Sequence, residues 1–416
     1  MPVSREYEDS AILEPKRGVF RAFQHRNFRL FIIGQLLSLI GTWAQRLGVA
    51  WLAWELTHSP FWVGATAFTG LFPGVLAGPI AGSVADRMDR FRLLKITQVL
   101  FLLHAVVLSV MTITNAISIE LLLLLEAFLA VISAFDIPVR QALVIDLVGK
   151  DDLANGIAIN SSTVNITRMI GPAVAGVIIL MFGIGEAFAF NAFSYIAVLI
   201  SLSMMKMHAR VRVQRNQSVS AHIHSGLRYA WNTPDIRNWL LLFFFLALFG
   251  MPYGSLMPVV AEIGFGRGAE GLTWLVVASG LGATSGALLL AAQKSTRRLP
   301  RLLPVGAVAF GLLLLVFGLI DTFWLAVAIL PFCGYAMMLQ MAGINIVLQT
   351  KVAEEHRGRV MSLLSMAFQS AFPLGSLWMG WVAEHYGVSL PFTIAGSLTV
   401  VSSFAVGTII RLRQKS

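Results

Sequence analysis

The chain has 416 residues, of which 57% are hydrophobic and only 12% are charged, and its formal net charge is +10. A soluble domain of ordinary composition carries about 25% charged residues, so this composition excludes a water-soluble globular protein and favours one whose solvent is the bilayer. The single cysteine, Cys333, excludes a disulfide within the chain and a metal site built from several cysteines. We expect neither a metal nor a cofactor.

Twelve apolar segments are long enough to be membrane-spanning helices, since a span needs about 20 predominantly apolar residues. In chain order the predicted spans are 28–54, 61–85, 93–114, 117–146, 154–182, 186–205, 237–261, 271–292, 301–320, 323–350, 358–383 and 388–411. The first 26 residues are polar and contain no apolar stretch, so they predict a segment outside the membrane and not a cleaved signal peptide.

The basic residues lie almost entirely on one side of these spans. Nearly all of the 31 Lys and Arg residues fall before the first span, in every second connection or after the last span, and Arg267 alone lies in a connection on the other side. This positive-inside pattern predicts that both termini are cytoplasmic. It also attributes the net charge to topology and to contact with anionic lipids, not to nucleic-acid binding.

The chain divides into two halves around one long polar connection. The predicted parts are an N-terminal segment 1–26, a six-helix bundle 27–205, a cytoplasmic linker 206–236, a second six-helix bundle 237–411 and a tail 412–416. The last third of the linker is amphipathic, which is typical of a helix lying on a membrane surface.

An internal repeat supports this division. Shifting the chain by 204 residues places Gly171 on Gly375 and Gly176 on Gly380, so the fifth and eleventh spans correspond. Parallel repeats of this kind are a transporter architecture whose substrate site lies between the halves. The predicted fold is an all-α membrane protein of twelve transmembrane helices in two pseudo-symmetric six-helix bundles.

A charged segment between the second and third spans contains Gly82, Asp86, Arg87, Arg90 and Arg92. These residues resemble the G-x-x-x-D-R-x-x-R-[RK] signature of the major facilitator superfamily. Phe91 stands where that family usually has a basic residue, and Arg92 follows one place later. The resemblance implies the major facilitator fold, transport by alternating access, and no enzymatic activity.

Other stretches resemble a bacterial branch that contains siderophore and macrolide exporters. They include Arg26-Asn27-Phe28-Arg29, Gly34-Gln35, Thr57-His58-Ser59-Pro60 and Arg357-Gly358-Arg359-Val360. Gly171, Pro172 and Gly176 resemble part of a fifth-helix motif associated with antiporters. The resemblance implies a monomeric exporter of an amphiphilic small molecule, a siderophore or a drug, driven by protons in the bacterial inner membrane.

The signature segment has two interpretations. As a cytoplasmic gate, Gly82 lets another helix approach closely, while Arg90 and Arg92 pair with acidic groups of the other half and hold the halves together. As plain surface charge, the same residues only contact lipid headgroups. The resemblance favours the gate.

Five ionisable residues fall inside predicted spans, where a charge is costly and is a functional candidate. They are Arg46 in the first span, Glu126, Asp136 and Arg140 in the fourth, and Arg168 in the fifth. In one interpretation, Asp136–Arg140 and Arg46–Glu126 are permanent pairs that fix helix packing. In the other, a carboxylate takes up a proton outside and releases it inside. Asp136 is the first candidate for this carboxylate, and Glu126 is the second. Three cations against two carboxylates favour an anionic cargo.

Softer candidates for the substrate cavity lie in the seventh and tenth spans. They are Tyr253, Gln340, Met341 and Asn345, each of which has packing as its alternative role.

No metalloprotease, nucleophile-elbow or ATP-binding motif is present in the sequence. The alternative functions are a transporter that flips lysophospholipid or another lipid-like molecule, and a uniporter. A sensor or scaffold and an intramembrane enzyme are less favoured.

Overall fold

The computed structural model describes residues 20–149, 151–206, 219–293 and 295–413, and these residues form helices and connections without a strand. Twelve long helices follow in chain order. They are α1 (Arg26–Thr57), α2 (Pro60–Thr69 and Phe72–Arg87), α3 (Arg90–Ile113), α4 (Ile119–Val148), α5 (Leu153–Met181), α6 (Ile184–Ser203), α7 (Pro234–Gly264), α8 (Gly268–Ala292), α9 (Leu299–Gly318), α10 (Phe323–Lys351), α11 (Glu354–Tyr386) and α12 (Ser389–Arg413).

Their length and composition suit membrane spans. Within the described residues, eleven of the helices are long and apolar enough to cross a membrane. The remaining helix, α5, has 29 residues and is therefore about 43 Å long at ~1.5 Å per residue, more than the ~30 Å of the hydrocarbon core. The predicted all-α, twelve-helix architecture is confirmed. α7 begins at Pro234, three residues before the predicted span.

Two of the helices are interrupted. α2 breaks at Gly70 and Leu71, between its two segments. α7 loosens into a π-helical turn at Leu246–Gly250, tightens into a 3-10 helix at Met251–Leu256 and loosens again at Val260–Gly264. Pro252 and Pro258 explain part of this irregularity, because proline has no N–H to donate to the preceding turn. π-helical turns are frequent at functional sites.

A shorter helix precedes the second half. This linker helix, Val219–Asn232, packs against the start of α11, where the Tyr229 ring stacks on His356 with centroids 4.0 Å apart. Leu227 and Trp231 are exposed one helical turn apart, as its amphipathic pattern predicts. The preceding residues 207–218, like 1–19 and 414–416, lie outside the described parts.

The repeated glycines occupy equivalent places in the two halves. Gly171 of α5 packs against Trp43 of α1, where an added Cβ would lie 3.1 Å from the Trp43 Cγ. Gly375 of α11 packs against the Leu248 carbonyl group and Pro252 of α7. Since α1 and α7 are the first helices of their halves, both contacts join the first and fifth helices of a half. The sequence repeat is therefore a structural repeat.

The second pair of repeated glycines lies between the halves. A Cβ added at Gly176 of α5 would lie 2.9 Å from the Cβ of Thr273 in α8. A Cβ added at Gly380 of α11 would lie 3.2 Å from the Cα of Gly64 in α2. The fifth helix of each half thus meets the second helix of the other half through a glycine, as a two-fold relation between the bundles requires.

Candidate transport cavity and its two ends

Two ends of the helical bundle are named here by their residues. The basic face carries Arg87 at the end of α2 and Arg90 and Arg92 at the start of α3, together with the start of α11. The opposite face carries Ser59, the start of α2, and Glu384, near the end of α11.

At the opposite face the two halves are joined. The Ser59 hydroxyl donates to Oε2 of Glu384 at 2.7 Å, and the Phe61 backbone N–H donates to the same oxygen at 3.3 Å. These bonds cap the first turn of α2, whose early N–H groups have no partner within the helix. A carboxylate of one half therefore holds the helix start of the other.

Below this bond the helices approach closely at small residues. The position of a Cβ on Gly380 is 2.7 Å from the Pro60 carbonyl oxygen, so only glycine fits there without displacement of a helix. Gly64 and Gly176 make similar contacts across the halves. Small residues let helix backbones touch inside a membrane, and these contacts seal the opposite face.

At the basic face the glycines of the same two helices make no such contact. An added Cβ at Gly82 of α2, or at Gly358 of α11, would have no atom within 4 Å. The sequence predicted a close helix approach at Gly82, and this structure does not show one. The close glycine contacts between the halves thus lie toward the opposite face, and there is open space beside Gly82 and Gly358 at the basic face. The space between the halves is called the cavity below.

The predicted gate residues stay within their own half. Arg90 donates to Asp146 of α4 at 3.1 Å and not to a residue of the second half. The Arg92 backbone N–H donates to Oδ1 of Asp89 at 2.8 Å, while the Arg92 and Arg87 side chains are exposed. The predicted pairing across the halves is not formed in this state. The side chain of Asp86 lies outside the described residues.

Asp136 is held by hydrogen bonds on both carboxylate oxygens. Its Oδ1 accepts from Thr97 Oγ1 at 2.8 Å and Gln98 Nε2 at 2.7 Å, and its Oδ2 pairs with Arg140. Arg140 also donates to Gln35 Oε1 at 2.7 Å. The predicted Asp136–Arg140 pair is thus part of a network that joins α1, α3 and α4. The roles of Thr97, Gln98 and Gln35 in this network were not predicted; the sequence feature that indicates them is a polar side chain within an apolar span.

Glu126 has the opposite environment. It is 7% exposed, and its Oε1 is buried without a hydrogen-bond partner in the described chain. Its Oε2 lies beside the break in α2, 3.0 Å from where a Cβ on Gly70 would be. No ion pair within 4.0 Å joins Glu126 to Arg46, although the two charges interact electrostatically. Oε1 of Glu126 thus has no hydrogen bond in the described chain that protonation would break.

Arg46 is an accessible cation deep in the first half. Its side chain is solvent-accessible although protein atoms surround it at bilayer depth. Its guanidinium lies 4.8 Å from the ring centroid of Trp43, within the range of a cation–π contact. The side chains of Arg168 and Pro172 lie outside the described residues.

Two of the softer candidates bond helix to helix. The Tyr253 hydroxyl is 2.6 Å from Ser279 Oγ of α8, and Tyr253 is 2% exposed. Gln340 is fully buried and donates from Nε2 to the Leu303 carbonyl of α9 at 3.1 Å. Neither lines the cavity in this structure, because both side chains are buried.

The other two softer candidates are only partly buried. Met341 packs at the edge of the core, and Asn345 accepts from Gln349 Nε2 at 2.6 Å, closer to the basic face. Both positions remain compatible with a cavity wall. In the described residues, no group of three or more His, Cys, Asp or Glu side chains is placed to hold a metal ion.

An aromatic cluster on α7 and α11 was not predicted as a unit. Phe245 stacks on Phe249, and Phe249 meets Trp378 edge-on, with centroids 6.2 Å apart in both pairs. Further along α11, Phe368 and Phe372 form a second pair with centroids 5.3 Å apart, and Phe368 meets Phe243 of α7 at 6.4 Å. This pair and the first three rings are together called the aromatic cluster of α7 and α11. All five rings are half-buried. The sequence signal was the phenylalanine-rich start of α7, which resembles any apolar span.

The seal at the opposite face gives a direct prediction. Replacing Gly64 by leucine should favour a form open on the opposite face, because a side chain there cannot coexist with the α2–α11 contact. Gly82→Leu is the matched variant at the other end of α2, and it should favour the form described here.

Electron–electron distances between spin labels show which end is open in each variant. Exposed label pairs across the halves are Thr114 with Tyr386 at the opposite face and Arg92 with Ser295 at the basic face. In Gly64→Leu the first distance should lengthen and the second shorten. Unchanged distances would show that the small-residue contact does not hold this end closed.

Curated relatives of the chain are bacterial transporters. The staphyloferrin A transporter of Staphylococcus aureus is 26% identical over 377 residues, covering 89% of this chain and 93% of that protein. The multidrug efflux pump Tap of Mycolicibacterium fortuitum is 22% identical over 89% of this chain and 94% of its own length. Macrolide efflux protein A of Streptococcus pyogenes is 21% identical, with coverages of 92% and 95%.

Solved structures share the fold. A bacterial homologue of the human lysosomal transporter Spinster, in an inward-facing and unoccupied conformation, superposes with a TM-score of 0.73 at 15% identity, covering 92% of this chain and 97% of that one. A D-xylose–proton symporter gives a TM-score of 0.69 at 14% identity, with coverages of 92% and 96%.

A family model described as transmembrane secretion effector matches residues 17–416. The match confirms the predicted resemblance to the major facilitator superfamily, and it makes the chain a multi-pass membrane transporter and not an enzyme. The chain therefore belongs to the transmembrane secretion effector family of major facilitator transporters.

Proposed function

We propose that the protein exports an amphiphilic small molecule, siderophore-like or drug-like, in exchange for protons by alternating access. It acts as a monomer in the bacterial inner membrane, with the basic face and both termini in the cytoplasm. The positive-inside rule supports this orientation. The relatives, which carry names of a siderophore transporter and of drug efflux proteins, support the cargo class.

The proposal rests on one observation, which is that the two ends of the bundle differ in how closely the halves approach each other. Gly64 is in contact across the halves while Gly82, on the same helix, is not. With the basic face in the cytoplasm, the cavity is open for loading from inside and sealed toward the outside. Rocking of the halves would close the gap at Gly82 and Gly358 and open the contact at Gly64 and Gly380, as alternating access between repeats requires.

Glu126 is the proposed proton carrier, in place of Asp136, which the sequence analysis put first. Asp136 has a fixed partner on each oxygen, whereas Oε1 of Glu126 has none in the described chain. Protonation of Asp136 would break an ion pair in a low-dielectric site. Protonation of Glu126 requires no bond to break, so this group exchanges its proton at lower cost.

Everted membrane vesicles test the proposed function. Their cytoplasmic face points outward, so an acidic lumen should drive uptake of cargo into the lumen. We expect at least one of three probes, staphyloferrin A, a macrolide or 1-pyrenebutyrate, to accumulate above vesicles without the protein. Collapsing the pH gradient with nigericin should abolish the accumulation. Accumulation that nigericin leaves unchanged, or no accumulation of any probe, would contradict proton-driven export.

A further inference from the structure

The two halves offer different chemistry to a cargo between them. Every Asp, Glu, Lys or Arg at bilayer depth lies in the first half. The spans of the second half contain none of these residues over 238–261, 271–293, 302–320, 322–350, 360–383 and 385–410. A charged group of the cargo therefore has a counter-charge only on the first half, and the second half offers rings, thioethers and uncharged polar groups.

Among the described side chains at bilayer depth, Arg46 is the cation that is available to a cargo. Arg140 is bound to Asp136 and Gln35. Arg46, by contrast, is solvent-accessible and has no hydrogen bond or ion pair within 4.0 Å with the described residues; its guanidinium contacts the Trp43 ring and interacts electrostatically with Glu126. Its N–H donors are therefore not used by another described side chain, and a guanidinium matches a carboxylate with two parallel hydrogen bonds.

Trp43 holds this guanidinium in place. Gly171 of α5 packs against the Trp43 Cβ and Cγ, which leaves little room for the side chain to move. A ring face beneath a guanidinium attracts it without using its N–H groups. The arginine is thus oriented by a neighbour that does not compete for the anion.

The second half carries aromatic rings on α7 and α11, at Phe245, Phe249, Phe368, Phe372 and Trp378. Trp378 Nε1 donates to the Leu248 carbonyl at 3.3 Å, within the π-helical turn of α7. The cluster lies on α7 and α11, and both of these helices contact the first half. Half-buried rings on a helix seam offer faces on which a planar ligand can stack.

We propose that the cavity binds an aromatic amphiphile with a carboxylate head group, whose head binds Arg46 beside Trp43 and whose ring system packs on the aromatic cluster. This assignment rests on the proposed function and names the substrate class of the same cavity. The head meets the first half and the ring meets the second, so one molecule contacts both moving bodies. A cargo of this shape links the two bundles while it is bound.

A charge series of fluorescent probes tests the assignment. The probes are 1-pyrenebutyrate, 1-pyrenebutanol and 1-pyrenebutylamine, which share one ring system and differ in head-group charge. Binding to the purified protein in detergent, without any gradient, is followed by energy transfer from tryptophan to pyrene, with empty micelles as background. The wild type should bind the carboxylate about tenfold or more tightly than the alcohol, because a hydrogen bond to a charged group is worth about 1.5–3 kcal/mol.

Variants separate the head site from the ring site. Arg46→Gln should bind the carboxylate and the alcohol equally, and Arg46→Lys should keep part of the preference. Arg297→Gln, which removes an exposed arginine at the basic face, is the matched control and should behave as wild type. Phe249→Leu should lower the affinity for all three probes by a similar factor, because it removes a ring contact and no charge.

The outcomes are distinct from those of the transport assay. Equal affinity of the wild type for the carboxylate and the alcohol, or an unchanged preference in a monodisperse Arg46→Gln protein, would overturn the assignment. The binding assay uses no gradient, so a protein that shows the preference and yet does not accumulate cargo in vesicles contradicts proton-driven export and leaves the anion site in place.

Discussion

Replacing Glu126 by glutamine should abolish pH-gradient-driven accumulation of cargo while cargo binding and exchange persist. Glutamine keeps the shape of the side chain but cannot take up or release a proton. One pH unit corresponds to about 1.36 kcal/mol, so it supports up to about tenfold accumulation for each proton exchanged. In Glu126→Gln vesicles the accumulation ratio should fall to that of vesicles without the protein.

A matched variant lies on the same helix. Glu120 is exposed near the opposite face, in the first turn of α4, so Glu120→Gln removes one carboxylate without touching the cavity. It should accumulate cargo as the wild type does. If Glu126→Gln still concentrates cargo in proportion to the gradient, another group carries the proton.

Replacing Asp136 by asparagine should instead destabilise the protein. An asparagine Oδ1 still accepts from Thr97 and Gln98, but its amide N–H groups would face Arg140, which has only donors. Breaking a buried pair by removing one partner costs about 3–5 kcal/mol, because the remaining charge has no compensation. The free energy of unfolding, measured by titration of the purified protein with sodium dodecyl sulfate, should fall by about this amount.

A double variant distinguishes this structural role from a role in coupling. Asp136→Asn with Arg140→Gln removes both charges and should recover much of the lost stability. Asp89→Asn is the control, because Asp89 caps α3 at an exposed position and asparagine caps a helix about as well. An Asp136→Asn protein that is as stable as the wild type but has lost gradient-driven transport would make Asp136 the proton carrier.

Composition, span length and charge asymmetry were sufficient to predict the fold, because the bilayer imposes a length and a sidedness that a sequence displays directly. The repeat at Gly171 and Gly375 predicted the correspondence of the halves because a close helix contact tolerates only a small residue at each place. The breaks in α2 and α7 were not predicted. Gly70 resembles any other glycine of an apolar span, and proline alone does not determine where a helix turns π-helical.

The candidate site was predicted only in part, because pairing depends on which faces of the helices meet. The Asp136–Arg140 pair followed from four-residue spacing within one helix. The bonds from Thr97 and Gln98 to Asp136 join two helices, and the spacing of residues along either helix alone does not predict them. For the same reason Gln340 was a candidate for the cavity with bonding between helices as the alternative, and the structure shows the alternative, a bond to the Leu303 carbonyl. The tertiary structure decides which carboxylate has no fixed partner, so the sequence alone does not predict it.

Simultaneous recording of cargo and proton movement in proteoliposomes tests the central claim most directly. A cargo gradient is imposed with no pH gradient, and a pH-sensitive dye is enclosed in the lumen. Cargo that leaves the lumen through the wild-type protein should carry protons in, so the lumen should acidify, and Glu126→Gln should move cargo without any pH change. Cargo movement through the wild type with no change in luminal pH would contradict exchange of cargo for protons.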